Sequence, residues 1–100
     1  MTAYVIIDLK VTDPQGFSQY AREAAELLTQ YGGRNLMVDM KPVALEGSWQ
    51  PSGLVIQEFP DAGMVNQWYE SPEYQRLKDL RERYSETAMM VVAEAQAMGT

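Results

Sequence analysis

Asp13-Pro14 is the feature that most constrains the fold, because it separates two segments of opposite periodicity. An aspartate side chain accepts the free N–H groups of a first helical turn, and proline suits the first helical position. Before this pair, Tyr4-Val5-Ile6-Ile7-Asp8-Leu9-Lys10-Val11 alternates, with Val5, Ile7, Leu9 and Val11 on one face, as a strand does. After it, Phe17, Tyr20, Ala21, Ala24, Leu27, Leu28 and Tyr31 recur at helical spacing. Gly32-Gly33 closes that helix, where the backbone must turn to positive φ.

The same grammar repeats downstream. Leu36-Met37-Val38-Asp39-Met40 reads as a second strand, and Pro42 bends or interrupts it before a short Val43-Ala44-Leu45-Glu46 segment. A turn-rich loop over Gly47-Ser48-Trp49-Gln50-Pro51-Ser52-Gly53 follows, then a third strand, Leu54-Val55-Ile56-Gln57-Glu58-Phe59, ended by Pro60. Asp61 caps a short helix carrying Met64, Val65, Trp68 and Tyr69. Ser71-Pro72-Glu73 starts another helical stretch with Tyr74, Leu77, Leu80, Arg81 and Tyr84. Met89-Met90-Val91-Val92-Ala93 is the last strand. The order β-α-β-β-α-β is the split βαβ plan of α+β ferredoxin-like domains with an antiparallel sheet. Residues 1–100 are expected to form one such domain.

The first, third and fourth strands are apolar on both sides: Ile6 opposes Val5 and Ile7, Val55 opposes Leu54 and Ile56, and Met90 opposes Met89 and Val91. Helices cover one face of such a sheet, and an apolar second face is unusual on a monomer. A homodimer packed through that second face is the simplest cover.

Composition removes whole classes of chemistry. The chain has no cysteine and no histidine, which excludes disulfides, thiolate or imidazole metal sites and histidine-based catalysis. Its acids are spread without the alternating loop that binds calcium, so neither metal nor cofactor is expected. A net charge of −6 repels phosphate backbones and anionic lipids, so neither nucleic acid nor a membrane surface is an expected partner. The N-terminus lacks a basic, signal-like start, and a cytoplasmic location is expected.

Several pieces occur in a specific order: Tyr31-Gly32-Gly33-Arg34, Leu45-Glu46-Gly47-Ser48-Trp49, Glu58-Phe59-Pro60, Trp68-Tyr69-Glu70-Ser71-Pro72-Glu73-Tyr74-Gln75, and Leu80-Arg81. Together they resemble the domain-of-unknown-function 1330 family, from about Ala3 to Ala93. The resemblance implies a dimeric α/β barrel in which two ferredoxin-like sheets close around a shared cavity. It implies no general activity, although related barrels include monooxygenases and isomerases acting on apolar compounds. The end of the chain departs from the family pattern, which closes the last strand with Glu-Gly; here Glu94 precedes Ala95-Gln96-Ala97-Met98-Gly99-Thr100. Residues 95–100 are expected to be a mobile tail.

Candidate site residues follow from chemistry. Asp8, on the strand side shared with Tyr4, Ile6 and Lys10, is the candidate catalytic group: if that side faces a cavity, a desolvated carboxylate can accept a proton. Arg81, and less so Arg34, can hold a carboxylate through two parallel hydrogen bonds. Glu46, on a strand end and its loop with Trp49, offers an acid beside an aromatic lid, and Trp68, Tyr69 and Tyr74 form an aromatic cluster able to line a pocket. Asp8 and Arg81 are expected to approach one cavity from strand and helix sides. Each has a plain structural alternative: paired or solvated acids, a Trp49 plug, an ion-paired arginine and a helix–sheet aromatic core. Two functional readings therefore stand. One is a homodimer that binds a small apolar or aromatic molecule, with or without cofactor-free catalysis. The alternative is a non-catalytic structural or interaction dimer.

Overall fold

A computed structural model describes residues 1–96 of the chain. Its elements are β1 (Ala3–Val11), α1 (Pro14–Gln30), β2 (Arg34–Asp39), β3 (Leu54–Phe59), α2 (Ala62–Glu70), α3 (Pro72–Tyr84) and β4 (Ser85–Glu94). The four strands form one sheet in the order β2-β3-β1-β4, with every neighbouring pair antiparallel. This is the α+β ferredoxin-like plan, and the 17 Å shortest dimension fits one sheet carrying one layer of helices.

Each helix begins where its cap permits. Asp13 Oδ1 accepts the Gly16 amide at 3.2 Å, and Asp61 Oδ1 accepts the Met64 amide at 2.8 Å. At the α2–α3 junction, Ser71 Oγ accepts the Tyr74 amide at 3.1 Å while donating to the Trp68 carbonyl at 2.8 Å. Pro72 prevents the two helices from fusing, since its ring blocks a continuous turn. Gly32 lies at φ 76°, beyond the reach of most side chains, and Gly33 N–H returns to the Leu28 carbonyl at 3.0 Å to close α1.

Alternation along β1 decides where the core sits. Ala3, Val5, Ile7 and Leu9 are all buried on the helix side, against Tyr20, Leu27, Leu28, Phe59, Val65, Trp68, Tyr74 and Leu77. Burying a large apolar side chain contributes about 1.5–3 kcal/mol, so this face dominates the fold's stability. The register places Ile6, Leu54, Ile56, Met89 and Val91 on the opposite face, where all remain half-buried or exposed.

β2 runs over Arg34–Asp39 rather than Leu36–Met40, and larger differences from expectation fall at the 43–46 segment and at the start of β4. Val43–Glu46 is not a strand: β2 ends at Asp39, and the chain runs irregularly to Leu54. The Asp39 side chain caps the Lys41 amide at 2.9 Å, and Pro42 has no N–H to continue a ladder. Glu46 therefore lies exposed in a loop rather than at a strand end. β4 begins at Ser85, not Met89, because the polar Ser85-Glu86-Thr87 pairs with Val11-Lys10-Leu9 across a bulge. Backbone ladders recruit residues without regard to polarity, which alternation cannot reveal. The expected mobile tail is partly described: Ala95 N–H bonds to the Thr2 carbonyl at 2.7 Å, and residues 97–100 lie outside the described residues. Among the described residues, no helix is long and apolar enough to cross a membrane.

Candidate functional site

α3 enters the sheet side of the molecule with Tyr74, Leu77 and Arg81 inward, a spacing of three and four residues that puts all three on one helical face. Arg81 is thereby buried to 3% exposure. Its Nη1 donates to the Tyr74 hydroxyl and lies 3.7 Å from the Met90 sulfur. The Tyr74 hydroxyl is itself 3.8 Å from the same sulfur. Tyr20 of α1 also feels the guanidinium charge. Arg81 Nε is buried with no hydrogen-bond partner.

The electrostatics are lopsided. Burial pushes the Tyr74 and Tyr20 phenols above their ordinary range and outweighs the opposing pull of Arg81, so both stay neutral near pH 7. Burial works against the Arg81 charge; its pKa stands above the ordinary value because of the charges Tyr74 and Tyr20 carry once ionised and the hydrogen bonds to them. Near pH 7, with both phenols neutral, only the hydrogen bonds operate. Ion pairs join Arg34 to Glu58 at 2.8 Å and Arg76 to Glu23 at 3.7 Å; among the described residues, no carboxylate pairs with Arg81. A buried guanidinium thus faces two neutral phenols and a thioether.

Beside this cluster lies a cleft of ≈ 220 Å³ between α2 and β4, lined by Val5, Val65, Trp68, Tyr69, Met90 and Val92 among others. Its aromatic wall is held by ring packing: Trp68 sits 4.3 Å from Tyr74 and 5.0 Å from Phe59 between ring centroids, and Tyr69 sits 5.1 Å from Tyr74. A second cleft of ≈ 200 Å³ runs beneath α1, lined by Phe17, Tyr20, Ala24, Val55 and Gln57 with their neighbours. There Gln57 Nε2 donates to Asn35 Oδ1 at 3.2 Å, while Gln57 Oε1 is buried and unpartnered. Tyr20 borders one cleft and Met90 the other, so the arginine–tyrosine cluster stands between them.

Asp8 belongs elsewhere. At 2% exposure it lies on the outer face of β1, where Oδ2 accepts the Trp49 indole N–H at 2.9 Å. Its Oδ1 accepts the Ser52 and Gly53 amides at 2.9 and 3.3 Å. Burial pushes this carboxyl up, yet the three donors outweigh it and hold the pKa below the usual carboxylate value. The expectation that Asp8 and Arg81 share a cavity is therefore corrected: the sheet separates them, and Asp8 clasps the 40–53 loop. Trp49 is part of that clasp, its ring half exposed, and Glu46 meets neither cluster. Arg34 is paired across the β2–β3 ladder. Trp68, Tyr69, Tyr74 and Arg81 are brought together.

Sequence reasoning passed over Tyr20, Met90 and Gln57 as site residues. Tyr20 fits the apolar repeat of α1 and Met90 the apolar run of β4, so periodicity assigns both to the core. Gln57 carries a usable signal: it is polar at a strand position whose neighbours Val55 and Phe59 face inward.

A sheet of this order, helices on one face and apolar clefts between them, defines the chain as a ferredoxin-like α+β protein. It belongs to the DUF1330 family (domain of unknown function), whose model matches residues 2–95. No curated protein sequence matches the chain. Among solved structures it is similar to a protein of unknown function from Rhodopseudomonas palustris, with 12% identity, 97% of this chain and 84% of that chain covered, and a TM-score of 0.72. SnoaB, a cofactor-independent oxygenase from Streptomyces nogalater, matches at 12% identity over 97% of this chain and 95% of its own, with a TM-score of 0.69. HapK from Hahella chejuensis matches at 12% identity over 98% and 96%, with a TM-score of 0.65. At these identities the likeness concerns fold.

Proposed function

We propose that the protein binds a small apolar or aromatic molecule in the cleft between α2 and β4, and that it does so as a homodimer. The observation that carries the binding reading is the ≈ 220 Å³ cleft walled by Trp68 and Tyr69, since small-molecule sites are concave, mostly apolar and rich in aromatic side chains. The similarity in fold to a cofactor-independent oxygenase supports it, because that plan accommodates catalysis without a cofactor. The dimer reading rests on the outer sheet face, where Ile6, Leu54, Ile56, Met89 and Val91 have no helix over them.

The test is calorimetric titration with neutral naphthalene-sized aromatics, repeated on Val92→Trp, which fills the cleft from its exposed mouth. Micromolar to millimolar binding that Val92→Trp abolishes supports the reading. Absence of binding, or binding indifferent to Val92→Trp, defeats it and favours a structural or interaction dimer.

A further inference from the structure

Building on the reading of the α2–β4 cleft as a small-molecule site, we infer that the cleft selects ligands bearing an anionic oxygen, taken by Arg81 and Tyr74 in place of the Met90 sulfur.

Arg81 carries an unmet requirement. Taking a guanidinium out of water costs several kcal/mol unless it is paired and hydrogen-bonded. Arg81, 3% exposed, meets these conditions only in part: Nη1 donates to the Tyr74 hydroxyl, but Nε lacks a partner, and among the described residues no carboxylate pairs with it. The hydroxyls around it cannot supply the missing charge, because burial keeps both phenols protonated.

The donors also converge. Arg81 Nη1 and the Tyr74 hydroxyl both reach the Met90 sulfur, at 3.7 and 3.8 Å. Thioether sulfur is a weak acceptor, and its side chain is unbranched and adaptable. Two strong donors sharing one weak acceptor mark the position that an oxygen would fill with far greater gain, since hydrogen bonds to an ionised acceptor are about twice as strong as neutral ones.

Access runs through the same residue. Met90 is a half-buried wall of the cleft on one side and touches the arginine on the other. A change of its rotamer opens the cleft onto Nη1 while Trp68, Tyr69 and Val92 still hold the apolar body of the ligand. An aromatic carboxylate combines both parts.

The experiment compares 2-naphthoate with 2-naphthamide, which has the same ring and nearly the same shape but no charge. Calorimetry should give the carboxylate roughly tenfold or more tighter binding to the natural protein, the difference expected for charge-assisted over neutral hydrogen bonding. In ¹⁵N spectra of the same complex, the Arg81 Nε–H signal should shift with naphthoate and stay with naphthamide. Arg81→Gln should bring the two affinities together. The spectra need no variant, so an unfolded Arg81→Gln leaves the test intact. Equal affinities for both probes, or a carboxylate preference with an unmoved Arg81 signal, overturn the inference and leave the cleft reading standing. Failure of both probes to bind overturns the cleft reading as well.

Discussion

Trp68 illustrates how one side chain serves both core and site. It is 3% exposed, contacts Phe59 and Tyr74 through its ring, and still forms a wall of the cleft. Trp68→Ala should therefore cost about 3–5 kcal/mol of unfolding free energy, since removing a buried ring leaves a cavity the packed neighbours cannot fill. Denaturant titration measures it, and an unchanged midpoint would contradict the packing described. Asp8 gives the fold a pH dependence. Its folded pKa is lowered, so its contribution to stability is fully present above the unfolded value and is lost as pH falls through the folded one. Stability should accordingly drop below about pH 4, near the unfolded carboxylate pKa, and Trp49 emission should shift red as the clasp opens. In a Trp68→Phe background, where Trp49 is the remaining tryptophan, Asp8→Asn should already show the shifted emission at pH 7.

Elements are held at their ends. Ser71 closes α2 and opens α3 with one hydroxyl, and that junction aims Tyr74 and Arg81 inward. Ser71→Ala should cost about 1 kcal/mol by loss of the cap, and more if the Trp68 carbonyl is left unsatisfied in the buried junction. A thermal unfolding series with Ser71→Thr as the rescuing variant tests this, because threonine retains the hydroxyl. The loop between β2 and β3 is secured differently. Gly53 packs so closely that an added Cβ would lie 2.8 Å from the Leu9 carbonyl oxygen, directly beside the Asp8 clasp. Gly53→Ala should therefore loosen the loop as Asp8→Asn does, read by the same Trp49 emission. Along this loop Val43 and Leu45 stand 82% and 94% exposed, apolar groups with no cover within the single chain.

At the scale of the molecule, the sheet has helices on one side and apolar side chains on both. Sedimentation at micromolar concentration should give a dimer, and Ile56→Lys, which places a charge in the middle of the outer face, should return a monomer. A wild-type monomer would mean that the outer face is stable in water as it stands.

Much of this architecture was legible in the residues themselves. Asp13-Pro14, Ser71-Pro72 and the alternation of Val5, Ile7 and Leu9 act through neighbours a few positions away, and so they determined the element order and the buried face of β1 without reference to the rest of the chain. The cluster of Trp68, Tyr69 and Tyr74, and the place of Arg81 on the same helical face as Tyr74, were legible for the same reason, because helical spacing and one short junction set them; the separation of Asp8 from Arg81 was not. What the tertiary structure alone decided were contacts between residues distant along the chain. Asp8 and Trp49 are 41 positions apart, and their bond turned a candidate proton acceptor into a clasp. The pairing of Ser85-Glu86-Thr87 into β4 and the meeting of Tyr20 with Arg81 likewise depend on how elements dock. Burial of Arg81 without a counter-charge belongs to the same class: sequence can count charges, but only packing determines which of them lose both water and partner.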